Sequence, residues 1–116
     1  MAKPRILIAE DEDTIRQVLE ATLRKEGYET ISYPDAEQAI DLLLRSPLDL
    51  IVTDLHLPGV SGIDLLRRAH SVSPDIPVIV MTAFGTVQSA VEAMKAGAYD
   101  YITKPVHPYE LKLLVS

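Results

Sequence analysis

The sequence predicts one α/β domain, a five-stranded parallel sheet covered by helices on both faces, and three observations predict it. Five short apolar runs alternate with five helical patterns along the 116 residues. The runs are bounded by Gly, Pro and polar residues, as strands buried on both faces are. Connections between the elements are short, so right-handed crossovers give a parallel sheet with helices above and below.

The first run is Arg5 to Ala9, which breaks abruptly into Glu10-Asp11-Glu12-Asp13. From Thr14 the apolar residues fall at Ile15, Val18, Leu19, Thr22 and Leu23, one face of a helix, with Asp13 as its N-cap and Gly27 after its end. Arg24 and Lys25 occupy the last turn, where cations suit the helix dipole. Glu29 to Tyr33 alternates weakly and reads as a strand nearer the sheet edge. Pro34 and Asp35 open a second helix with inner face Ala36, Ala39, Ile40, Leu43 and Leu44, stopped at Ser46-Pro47. Leu48 to Thr53 is the central strand, delivering Asp54 to its carboxyl end before the turn at Pro58-Gly59. Ser61 caps a third helix carrying Ile63, Leu66 and Ala69, and Pro74 closes it. Pro77 to Met81 is the fourth strand, ending at Thr82-Ala83. Thr86 to Ala96 follows as a helix with Val87, Ala90, Val91 and Met94 on one face and Gly97 just past it. Tyr99 to Thr103 is the fifth strand, ending at Lys104-Pro105. Pro108 begins a last helix with Leu111, Leu114 and Val115. The pattern stops two turns into that helix, which gives the expectation of an excerpt from a longer polypeptide.

Composition narrows the function. A 47% hydrophobic content is that of a globular domain rather than a disordered chain. Seventeen acidic against 11 basic side chains leave a net charge of −6, which disfavours direct binding to nucleic acid or an anionic membrane. With no cysteine there is no disulfide, thiolate metal site or cysteine nucleophile. No apolar run approaches the roughly 20 residues of a membrane span, and the start leads straight into a strand rather than a signal sequence, so a cytoplasmic domain is expected.

The chemistry lies in what the strand ends carry. If the strands are parallel, Glu10-Asp11, Asp54, Thr82 and Lys104 meet at one edge, the edge where open α/β sheets bind ligands. Carboxylates this close repel one another by about 4 kcal/mol per pair at 4 Å and an effective dielectric near 20. Such a cluster calls for a cation, and oxygen ligands in an open, hydrated site favour Mg²⁺ over Ca²⁺. Adding the lysine and the hydroxyl makes a site for a phosphoryl group, where catalysis is mainly charge neutralisation and positioning. No phosphate-binding glycine loop follows the first strand, so a nucleotide cradle is not supported.

These residues in combination resemble the receiver domain of bacterial two-component response regulators, over essentially residues 1–116. The motifs are the acidic pair after the first strand, Asp54 with Pro58-Gly59 and Gly62, the Thr82-Ala83 step, and Lys104-Pro105. The resemblance implies a (βα)5 flavodoxin-like, CheY-like sandwich with strand order 2-1-3-4-5. It implies that Asp54 accepts a phosphoryl group from a sensor histidine kinase, with Asp11, Asp54 and the backbone carbonyl of His56 on Mg²⁺ and Glu10 reaching the ion through water. Lys104 would pair with the phosphoryl oxygens, Thr82 would swing to hydrogen-bond them, and Tyr101 would turn inward as the aromatic switch. Lys104-Pro105 is usually a cis peptide in this family. The chain departs from the pattern in carrying Glu10 where many members have Asp, and in a last helix shorter than the family's. The stretch Thr82-Ala83-Phe84-Gly85-Thr86 with Ala90-Val91, Ala96-Gly97-Ala98-Tyr99-Asp100-Tyr101 and Lys104-Pro105 is most similar to receivers of the nitrogen-regulatory class. Those sit ahead of an AAA+ ATPase and a DNA-binding domain in sigma-54-dependent transcription activators, with homodimers as a further expected partnership.

Other classes make different demands. A stand-alone receiver would act through protein contacts without an attached output domain. A metal-dependent phosphohydrolase using Asp54 as nucleophile typically wants a second acid two residues on, where this chain has His56. A flavin- or nucleotide-binding module wants a phosphate loop and stacking aromatics. A side-chain metal role for His56 would need further His or Cys ligands, and none are placed there. His70 and His107 read as surface residues. The apolar face of the fourth helix reads as core, and any part left exposed would suggest a partner surface.

Overall fold

The computed structural model describes residues 3–83 and 87–115. Its elements alternate throughout: β1 (Arg5–Ala9), α1 (Asp13–Lys25), β2 (Glu29–Tyr33), α2 (Ala36–Arg45), β3 (Leu50–Asp54), α3 (Gly62–Val72), β4 (Val78–Thr82), α4 (Val87–Lys95), β5 (Asp100–Thr103) and α5 (Pro108–Val115). All strand pairs are parallel and the sheet order is β2-β1-β3-β4-β5. The order reverses between β1 and β3, which opens a crevice at their carboxyl ends.

Each central strand is apolar on both sides because it feeds two cores. Leu7, Ile51, Val78 and Val80 face a core shared with Ala39 and Leu43 of α2, Leu65, Leu66 and Ala69 of α3, and Ala93 of α4. Their neighbours Ile6, Ile8, Val52, Ile79 and Met81 face the opposite core with Leu19 and Leu23 of α1 and Leu111 of α5. The period-2 alternation of strand side chains makes this division. Burial is complete along β3 and β4 and partial along the edge strands β2 and β5.

Local chemistry fixes the helix starts. Asp35 caps α2 by accepting from the Gln38 amide at 2.9 Å, and Ser61 caps α3 by accepting from the Asp64 amide at 3.2 Å. The expectation for α1 is corrected: its N-cap is Glu12, whose side chain makes no capping bond, and Asp13 is the first helical residue. The Asp13 carboxylate instead pairs with Arg16 one turn on. Gly97 follows α4 with φ at +106°, a conformation that side chains resist.

Two helix faces also differ from expectation. In α2, Leu42 is buried and Leu44 is 57% exposed. At 100° per residue, Leu42 and Ile40 flank the Ala36-Ala39-Leu43 stripe while Leu44 turns further out. In α4, Ala90 and Ala93 face the sheet, and Val91 and Met94 are each 44% exposed. The Val87 side chain, like the expected helix start at Thr86 and the motif residues Phe84 and Gly85, lies outside the described residues. His70 is half-buried rather than on the surface, with Nε2 2.9 Å from the Ile76 carbonyl. A side chain at Gly97 would meet the His70 ring at 3.0 Å. His107 is exposed. Among the described residues, no helix is long and apolar enough to cross a membrane.

Candidate functional site

The sheet register assembles the site. Ala9 pairs with Thr53, so the next residues along each strand, Glu10 and Asp54, stand side by side at the crevice. The Glu10 amide donates to the Tyr33 carbonyl at 3.1 Å, which carries the β1–β2 ladder one residue past β1. Thr82 pairs with Thr103 at the end of β5, and the Lys104 amide donates to the Thr82 carbonyl at 2.7 Å. The Lys104–Pro105 peptide is cis, as the resemblance implied.

Four of the expected site side chains are brought together. Carboxylate oxygens of Glu10, Asp11 and Asp54 lie within 4.8 Å of one another. Lys104 Nζ bridges two of them, 2.5 Å from Glu10 Oε1 and 2.8 Å from Asp54 Oδ2. The His56 amide donates to the other Asp54 oxygen at 3.2 Å, and the Glu12 amide to Glu10 Oε2 at 3.3 Å. Glu10 is fully buried, Asp54 is 5% exposed and Asp11 is open to solvent. Thr82 reaches the same edge, 2% exposed, and its hydroxyl has no hydrogen-bond partner among the described residues. Tyr101 is 41% exposed and borders a groove of about 440 Å³ with Ala90, Val91, Met94 and Lys95, apart from the acidic cluster. The His56 side chain is exposed and outside the cluster.

Three carboxylates against one ammonium leave an excess of negative charge. Glu10 is pushed up to about 7, by burial above all, with Lys104 opposing the rise and Asp11 and Asp54 adding to it. For Lys104, burial alone would depress the ammonium, but the hydrogen bonds and charges of Asp54 and Glu10 outweigh it and raise its pKa. Lys104 is therefore held as a cation, while the cluster resists carrying the full charge of its three carboxylates. A divalent cation would relieve that frustration. The donor set fits a hard ion, being all carboxylate oxygen with one acid open to water, and beside it Thr82 Oγ1 is a buried oxygen without a hydrogen-bond partner among the described residues.

One residue quoted for its motif gains a physical reason. A Cβ on Gly62 would lie 2.1 Å from the Asp54 carbonyl oxygen and 2.9 Å from Leu55 Cα. The Gly62 amide donates to the Leu55 carbonyl at 3.0 Å, closing the loop back onto the strand end. Sequence reasoning missed Arg16, whose Nη1 donates to the Glu10 carbonyl at 2.8 Å. No motif marks it.

A β1/β3 crevice with an acidic cluster, two of its carboxylates bridged by the lysine just past β5, defines the class: the chain belongs to the response regulator receiver domain family, whose profile matches residues 6–116. Among curated proteins it is similar to the response regulator protein PilR of Pseudomonas aeruginosa, 41% identical over 116 residues, covering all of this chain and 26% of that protein. Among solved structures it is similar to a response regulator from Chloroflexus aurantiacus, with TM-score 0.93 at 32% identity over 98% of this chain and 95% of that one. NtrX from Brucella abortus gives TM-score 0.91 at 32% identity, over 98% of this chain and 26% of that one. The nitrogen-regulatory likeness read from the sequence accords with these neighbours. The chain spans about a quarter of the length of the first curated relatives it matches.

Proposed function

We propose that the domain is the phosphoacceptor switch of a two-component regulator, with Asp54 as the residue phosphorylated. The observation that carries this is the Glu10-Asp11-Asp54 cluster bridged by Lys104, with Asp54 Oδ2 held 2.8 Å from the lysine. An Asp54 carboxylate oxygen attacks the phosphorus of a kinase phosphohistidine. The new P–O bond forms as the P–N bond breaks, and the histidine nitrogen keeps the electron pair. Asp11, Asp54 and the His56 carbonyl would hold Mg²⁺, with Glu10 acting through water. When bound, the ion supplies neutralisation of the phosphoryl charge. Lys104 then moves from the Asp54 oxygen to a phosphoryl oxygen. The Thr82 hydroxyl donates to another, and Tyr101 leaves its exposed position for the space Thr82 vacates. The surface altered is the face of α4 and β5.

Shifting such an equilibrium from 1:99 to 99:1 takes about 5.5 kcal/mol, within reach of a few charge-assisted hydrogen bonds at roughly 1.5–3 kcal/mol each. The domain works on its own phosphorylation state rather than on an external substrate. It acts in the cytoplasm between a sensor histidine kinase and an output module, an AAA+ ATPase with a DNA-binding domain in a longer regulator of transcription, with homodimers forming or breaking on phosphorylation. Beryllofluoride with Mg²⁺, which mimics an acyl phosphate, tests the switch. The amide resonances of Thr82, Tyr101 and α4 should shift in wild type and stay fixed in Asp54→Asn. Fixed resonances in both would overturn the reading.

A further inference from the structure

We infer that Arg16 is a positioning residue for the metal-binding loop, straddling Asp11 and fixing where its carboxylate stands. This rests on the proposed Mg²⁺ site and names a residue that acts on it without touching the ion. Arg16 lies in the first turns of α1, its side chain 17% exposed, and reaches back over the β1–α1 loop. One guanidinium nitrogen donates to the Glu10 carbonyl at 2.8 Å, and the other pairs with the Asp13 carboxylate. The two anchors flank Asp11 on both sides in sequence.

The anchor at Glu10 is the stronger constraint. Glu10 is fully buried and lies one residue past the end of β1. Its carbonyl accepts from the guanidinium, and losing that donor in a partly buried setting favours rearrangement of the loop. Asp11, by contrast, is exposed and follows directly. With the capping bond at Glu12 missing, the Arg16–Glu10 bond ties the acidic loop to the helix behind it, and the Asp13 pair at the start of α1 holds the guanidinium in place. A planar guanidinium can serve a carbonyl and a carboxylate at once in a fixed fork; an ammonium is a point donor without that geometry. Groups that orient metal ligands from behind typically change metal affinity by about 10- to 100-fold when removed.

The test is calorimetric titration of the domain with Mg²⁺ alone, together with melting temperature, for wild type, Arg16→Lys, Arg16→Met and Asp11→Asn. Positioning predicts at least about tenfold weaker Mg²⁺ binding in Arg16→Lys, although the charge is kept. If Arg16 acted only as a nearby charge, Arg16→Lys would bind as wild type and Arg16→Met more tightly. If it were merely structural, both variants would melt lower with the Mg²⁺ affinity unchanged. Either result overturns the inference. Wild type failing to bind Mg²⁺, or binding it no better than Asp11→Asn, would overturn the proposed site itself, and the role of Arg16 with it.

Discussion

Replacing Gly62 with alanine is the sharpest structural perturbation of this site. The added methyl would stand 2.1 Å from the Asp54 carbonyl oxygen, where a relaxed contact needs about 3.5 Å. The obstacles at 2.9 Å and 3.0 Å are also backbone, Leu55 Cα and the Asp54 carbonyl carbon, so no rotamer change relieves the overlap. The strand end or the α3 N-terminus must move by roughly 1 Å, at a stability cost of about 1–3 kcal/mol or more. A 1 Å misplacement of reacting groups can cost on the order of 100-fold in rate. Urea denaturation should therefore show the destabilisation, and the Mg²⁺-dependent rate of acetyl phosphate labelling should fall by about two orders of magnitude. Gly27→Ala is the control. It also meets strain, at φ +95°, but nothing lies within 4 Å of the new methyl. It should lose about 1 kcal/mol and label at the wild-type rate. A Gly62→Ala protein with unchanged stability and labelling would refute the close-contact argument.

Three further outcomes are expected. Leu42→Ala should cost about 2–5 kcal/mol and Leu44→Ala less than about 0.5 kcal/mol in chemical denaturation; equal costs would contradict the observed α2 face. Asp35→Ala should cost about 1 kcal/mol at pH 7. The Gln38 amide and side chain hold the Asp35 carboxyl below its usual 3.8, so its stabilisation is present above that pH and is lost as pH falls through the lowered value. The wild-type and Asp35→Ala stability curves should converge there, and a gap persisting in acid would refute the charge-dependent cap. Mg²⁺ at 100 times its dissociation constant should stabilise the domain by about 2.7 kcal/mol, and EDTA or Asp11→Asn should remove that gain in thermal melts.

Much of the fold was legible because its signals are local. Ile6 to Ala9, Leu50 to Thr53 and Val78 to Met81 are apolar on both faces, and that alone places them in the middle of a covered sheet. The side chains that end these strands could be assigned to one edge before any distance was known. What stayed hidden depends on contacts that sequence spacing does not encode. A helical stripe shows that a face exists but leaves its centre open, so Leu42 and Leu44, or Ala93 and Met94, could exchange roles. The burial of Ala93 with Val91 and Met94 exposed is set by how α4 rests on the sheet. Arg16, and the physical reason for Gly62, escaped for the same reason. Their partners, the Asp54 carbonyl and the Glu10 carbonyl, are backbone atoms that every residue possesses. The direct Lys104–Glu10 pair joins residues at opposite ends of the chain and adds to the Asp54 contact that the strand ends suggested.

The central claim is that Asp54 accepts a phosphoryl group, and intact-protein mass after incubation with acetyl phosphate tests it most directly. Wild type with Mg²⁺ should gain one phosphoryl group, and wild type with EDTA or Asp54→Asn with Mg²⁺ should gain none. An adduct on Asp54→Asn formed at the wild-type rate, or no adduct on wild type at saturating Mg²⁺, would contradict the account.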